Sequence, residues 1–336
     1  MTSSKDILAS ALRLRVGDGT VYVSGELQGR IFAELDGRLL HRLDVALAAN
    51  PSPAEFNNLG GNSLWPAPEG GPFAFNYPPD GGAWYVQEGI NAVPAQPLAD
   101  GFGVQKTIRL VNRKGVEGEL RYRRVVMPQE ATLALKYGLK GLAYRSEDSF
   151  TLGEPLNDFL LAAWSLEQFD LTPRTFAFGK LAQPRLHGEF YSDPAPYIDW
   201  AEGCFRFRFE ANERLQVALP ETAVPEYVGA VVPEYNLLIV RKICDYDKGV
   251  RIDIADNDQP RGPFAECDAC SIFYGPDARF FELETIAPVR QDADGRTIGS
   301  RLVSETQFYQ GTIKDLKSLL VNELGFAESL EIQTRV

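Results

Sequence analysis

The sequence predicts an all-β fold. Apolar and polar residues alternate with period two over many short stretches, and 30 Gly and 22 Pro supply frequent turns. No run of strands alternating with helices appears, which argues against a doubly wound sheet. The elements read in order as follows. Residues 4–14 form a short helix capped by Ser3 or Ser4. Residues 20–27 (TVYVSGEL) form a strand, and RIFAEL-DG-RLLHRLD forms a hairpin turning at Asp36-Gly37. Strands follow at 104–111, 119–127 and 132–139, the last with Leu133, Leu135, Tyr137 and Leu139 on one face. In CFRFRFE, Phe205, Phe207 and Phe209 point inward, and Arg206 and Arg208 point outward. Further strands are read at 215–219, 237–243, 250–254, 271–274, 279–286 and 301–310. A helix over 313–323 carries the stripe Leu316, Leu319, Leu320 and Leu324, and Gly325 ends it.

Composition narrows the function. With 44% hydrophobic residues among 336, a sizeable core is expected, in one domain spanning 1–336. The net charge of −12 and the lack of a basic run exclude nucleic acid and anionic membranes as partners. No apolar stretch of about 18 residues is present. Arg13 and Arg15 interrupt the first apolar run, so the expected location is the cytoplasm. Four cysteines make no disulfide framework. Cys267-x-x-Cys270 lacks a second paired spacing for zinc, and DIADNDQP (253–260) lacks the pattern of a calcium loop. No metal or cofactor is expected, and the oligomeric state stays open.

Residues 57–103 resist strand assignment and are dense in Gly, Pro, Asn and aromatics. Within them, NNLGGNSLWPAPEGGPFAFNYPP reads as a stiff loop presenting Asn62, Trp65 and Glu69. An aromatic ring beside amide and carboxylate groups suits a sugar, whose C–H face the ring covers while the polar groups take the hydroxyls.

This stretch resembles the GG-x-x-x-W-x-x-P-E-G-G segment of bacterial galactose-mutarotase-like proteins related to the aldose 1-epimerases. FFELETIAP (280–288) resembles the strand that carries their catalytic Glu, and LLAAWSLEQF (160–169) resembles their central strand. The resemblance implies a β-supersandwich, two large antiparallel sheets packed face to face. It also implies acid–base ring opening of a small sugar, with the base at Glu284. Glu282 shares the face of Glu284 and is taken as a substrate contact with Asn62, Trp65 and Glu69. Arg124, on a face with Leu120, Tyr122 and Val126, is a further candidate contact, its alternative being a structural ion pair. Trp164 is read as core.

The family's acid is a histidine, and this chain has only His41 and His187. His187 is the candidate, although the family's Asn-x-x-His string is absent around it; a Tyr or Glu is the alternative donor. His41 is read as structural or exposed. The expectation is therefore an aldose 1-epimerase-like enzyme, with a non-catalytic carbohydrate-binding or sensing protein on the same fold as the alternative. A polysaccharide lyase would need a basic groove that this composition does not offer.

Overall fold

The computed structural model describes residues 2–52, 55–186, 191–245, 249–252, 254 and 268–330. Among these residues, two antiparallel sheets of nine and eleven strands enclose a shared apolar core. The nine-stranded sheet runs Leu12–Val16, Gly19–Ser24, Arg30–Leu35, Asn62–Ala67, Ala162–Asp170, Phe280–Ile286, Asp268–Gly275 and Leu215–Pro220, with Arg38–Leu39 on Arg30–Leu35. The other sheet is centred on the long strands Thr297–Gln310, Lys140–Leu156 and Glu117–Gln129. Among the described residues, no helix is long and apolar enough to cross a membrane.

Local sequence explains much of this. Asp36 and Gly37 both take positive φ, +52° and +75°, which closes a two-residue hairpin with the right twist. Phe205 and Phe207 are fully buried, while Arg206 and Arg208 lean outward, as the alternation requires. The helix Ile313–Asn322 is capped by Thr312 and buries Leu316, Leu319 and Leu320 against Phe178, Leu238 and Tyr309.

Three expectations need correction. The N-terminal helix covers only Ser4–Ile7; Leu12–Val16 is a strand paired to Gly19–Ser24. Its alternate residues Leu12, Leu14 and Val16 fit a pleat better than a helix face. Thr132–Tyr137 is a helix rather than a strand, closed by Gly138 at φ +63°. Leu133 and Tyr137, four apart, pack inward with Ala134, and Leu135 is left 87% exposed. The stretch read as a loop contains the strand Asn62–Ala67, paired to the central strand Ala162–Asp170. Gly60 and Gly61 lead into it at positive φ, and a Cβ on Gly60 would lie 2.1 Å from the Arg42 carbonyl oxygen. Of the strand read at 250–254, Val250 bridges Val289. Cys267 and most of 253–260 lie outside the described residues.

Between the sheets sits a polar network with no exposure to solvent. Arg124 donates to Asp148 through Nε (2.7 Å) and Nη2 (3.0 Å). Its Nη2 also meets Asn62 Oδ1 at 2.6 Å, and its Nη1 meets the Asn62 carbonyl at 2.6 Å. Asn62 donates onward to Glu167 Oε1 at 2.8 Å, and Arg241 Nη1 pairs with Glu167 Oε2 at 2.7 Å. Burial alone would raise the Glu167 carboxyl, but Arg241, His41 and Tyr144 outweigh it and hold it well below the usual range. His41 is structural: its Nδ1 accepts the Ala33 N–H at 2.9 Å, and its ring stacks on Phe169. Asp148→Ala would strand the Arg124 cation and is expected to lower unfolding free energy by about 3–5 kcal/mol in urea titrations; a loss below about 1 kcal/mol would show that the pair is dispensable.

Candidate active site

Five adjacent strands of the nine-stranded sheet each turn alternate side chains away from the core, toward a cavity of about 480 Å³. That lies within the range of roughly 300–1,000 Å³ usual for small-molecule sites. The central strand contributes Trp164, Leu166 and Gln168; its neighbours contribute Glu282 and Glu284 on one side, Ser63 and Trp65 on the other. Gln216 and Phe273 come from the next two strands. The register aligns them: Glu284 stands opposite Leu166 and Ser271, Glu282 opposite Gln168 and Phe273.

One wall is aromatic. Trp65 and Trp164 meet edge to face at 6.3 Å, and Trp84 lies near-parallel to Trp65 at 6.5 Å, with Phe56 against both. Trp84 Nε1 donates to Glu69 Oε1 at 2.6 Å, which fixes Glu69 at the wall. Beside this wall, on the neighbouring strand, stand the two buried carboxyls. Glu284 Oε2 accepts Trp164 Nε1–H at 3.0 Å and an N–H of Gln216 at 3.2 Å. Glu282 Oε1 accepts Gln168 Nε2–H at 2.8 Å. Arg30, buried at the cavity edge, binds the Gly60 carbonyl oxygen at 2.5 Å. Burial pulls its guanidinium down to about 10, so it remains a cation at neutral pH.

Burial pushes both carboxyls up. Glu282 reaches about 7, held from rising further by the Gln168 hydrogen bond and by the Arg30 and Arg42 cations. Glu284 is raised well above the ordinary value by burial and by the Glu282 charge beside it, with Trp164 and Ser271 pulling the other way. Both therefore hold their protons to higher pH than an ordinary carboxyl does.

The cavity brings together Glu284, Glu282, Trp65 and Glu69, four of the seven residues expected from the sequence. Asn62 and Arg124 are not among its lining; both side chains are spent in the network between the sheets. Their strands turn them inward, where Ser63 and Trp65 turn outward. His187 lies outside the described residues. Trp164, read as core, is buried in the core cluster and also lines the cavity, where its Nε1 donates to Glu284. Sequence reading missed Trp84, Gln168, Gln216 and Arg30. For Gln168 a signal existed: it shares the strand face of Trp164.

Among solved structures, the fold matches a galactose mutarotase-like protein from Lactobacillus casei ATCC 334, with TM-score 0.50 and 11% identity over 89% of this chain and 100% of that one. The chain has the galactose-mutarotase-like fold. A "putative aldose 1-epimerase" from Escherichia coli K12 aligns with TM-score 0.46 and 15% identity, covering 89% of this chain and 98% of that one. No protein-family model matches the sequence. No curated protein matches it either. At these identities the galactose-mutarotase-like likeness speaks for the fold alone.

The carboxyl pair makes stability depend on pH. Between the ordinary carboxyl value near 4.5 and about 7, folded Glu282 holds a proton that the unfolded chain has released. The folded state then binds more protons, so unfolding free energy falls as pH rises through that window. Glu284 continues the trend to higher pH, and Glu167 titrates below the window. Urea midpoints of the native protein are expected to fall from about pH 5 to about pH 7.5, and Glu282→Gln to flatten that decline. Equal slopes in the two proteins would contradict the raised Glu282 value.

Proposed function

We propose that this protein is a mutarotase of the aldose 1-epimerase kind, acting on a small sugar held in the cavity. The observation that carries the reading is the pair of buried carboxyls, both raised by burial, lining one cavity with an aromatic cluster. Carboxyls whose environments push their proton affinities apart divide into acid and base. Glu282 as carboxylate takes the proton of the anomeric hydroxyl. The C–O electrons of the ring bond move to the ring oxygen, which takes the proton of Glu284. The open aldehyde turns about its C1–C2 bond, and the reverse transfers close the other anomer and return both carboxyls to their starting states. Trp65 and Trp84 cover the apolar sugar face, and Glu69 takes a hydroxyl hydrogen. Glu284 fills the donor role here in place of a histidine, and the base assigned to it by family resemblance passes to Glu282.

One observation favours the second reading, a non-catalytic sugar-binding protein. Trp164 and Gln216 already occupy Glu284 Oε2, as they would around a structural carboxyl. NMR exchange spectroscopy on glucose, galactose and a hexose 6-phosphate separates the two. Native protein is expected to speed anomer exchange, and Glu284→Gln and Glu282→Gln each to slow it by about 10²–10⁴-fold. The rate should rise with pH through about 7, as Glu282 loses its proton, and fall once Glu284 loses its own. Sugar line broadening without faster exchange supports the binding reading. No effect of protein on any sugar overturns both.

A further inference from the structure

Both carboxyls of the pair receive amide or indole donors, so hydrogen bonding alone does not decide which serves as base. What stands behind those donors differs. Gln168 Nε2 donates to Glu282 Oε1 at 2.8 Å, and Gln168 Oε1 accepts from Arg42 Nη1 at 3.2 Å. A guanidinium only donates, so Arg42 fixes the amide with its oxygen toward the cation and its N–H toward Glu282. A flipped amide would set N–H against guanidinium and oxygen against carboxylate. The contact is also held by the backbone. Arg42 N–H donates to the Gln168 carbonyl at 3.0 Å, and the Arg42 carbonyl accepts the Gly61 N–H at 2.8 Å. The guanidinium lies 5.2 Å from the centre of the Phe280 ring and donates to the Asn58 carbonyl at 2.9 Å and to Asp44 at 3.3 Å. Among the described residues, the charges that weigh most on Glu284 are Glu282 and Asp268, both acidic.

We propose that Arg42 and Gln168 are positioning residues, a two-member relay that selects Glu282 rather than Glu284 as the base of the pair. This rests on the acid–base reading of the cavity. The relay works by polarity. A donor fixed toward Glu282, with a cation behind it, favours the carboxylate form there and leaves the shared proton on Glu284. Other charges face the pair from neighbouring elements. Arg30 comes from the strand Arg30–Leu35, Glu69 and Tyr191 from the cavity wall, and Arg214 from its rim, where it pairs with Asp277 at 2.9 Å. Arg30 acts on Glu282 directly, so the relay contributes part of the bias.

The test needs no sugar. In full-length protein carrying 13C-labelled glutamate, the Glu282 carboxyl is titrated by NMR in the native chain, in Arg42→Gln, in Arg42→Lys and in Gln168→Met. Arg42→Gln and Gln168→Met are each expected to raise the Glu282 midpoint by about one pH unit, and Arg42→Lys to restore most of the native value. Gln168→Met keeps the volume, and so decides the matter should Arg42→Gln fail to fold. An unmoved Glu282 midpoint in a folded variant overturns the relay. Where the native protein speeds anomer exchange, the low-pH limb of its rate profile should move up with the same midpoint in Gln168→Met. A purely structural loss would lower the rate at every pH and leave the limb in place. If no sugar is turned over, the carboxyl titration still decides the relay, so the two ideas fail separately.

Discussion

The structure depends on a set of charges that have no water to turn to. Arg124, Asp148, Glu167 and Arg241 are fully buried between the sheets, and Asn62 joins the two ion pairs into one network. Each such ion loses several kcal/mol of hydration, which only close geometry returns. The network spans both sheets. Asp148 and Arg241 belong to the larger one, Asn62 and Glu167 to the smaller. Its geometry can be met at one offset between the sheets, and an apolar core alone would tolerate several. Ser165 and Thr285 extend it by accepting from Arg241 at 2.8 Å each, so two of the strands that line the cavity are held from behind.

Period two turns that anchoring into a site. On the central strand, Ser165 and Glu167 face the network while Trp164, Leu166 and Gln168 face the cavity. On its partner, Leu283 and Thr285 face inward while Glu282 and Glu284 face outward. A slip of one residue would exchange the faces and put two raised carboxyls among the buried arginines. Register and chemistry are therefore one constraint. The hydrogen bonds behind the sheet fix which residues can meet in front of it.

This also explains what could be read from the sequence. The hairpin at Asp36-Gly37, the Phe205–Phe207 alternation and the last helix depend on local pattern, and they stand where the pattern puts them. Glu282 and Glu284 were legible as a pair because residues two apart on a strand share a face. Arg124, on the one buried face of an alternating strand, forms the ion pair that was its alternative reading, whereas Asn62 was not separable from a ligand contact. When both faces of a strand are buried, alternation identifies the two faces without saying which one meets the other sheet. Trp84, Arg30 and Arg42 reach the site from segments distant in sequence, and only the folded register brings them to the carboxyls.

In the proposed reading, an acid–base pair made of two carboxyls follows from two separable causes. Aromatic walls and sheet burial withdraw water from both carboxyls, which raises both. Their positions across the sheet set different charges beside them. Glu282 lies toward the edge where Arg30 and Arg42 enter, and Glu284 lies toward Asp268. On the proposed reading, an acid and a base then arise from one residue type two positions apart. A histidine would supply a proton donor near neutral pH by its own chemistry. On the proposed reading the fold would supply the same range by unequal placement of charge around two identical groups, and the cations near Glu282 would then matter to the chemistry as the carboxyls do.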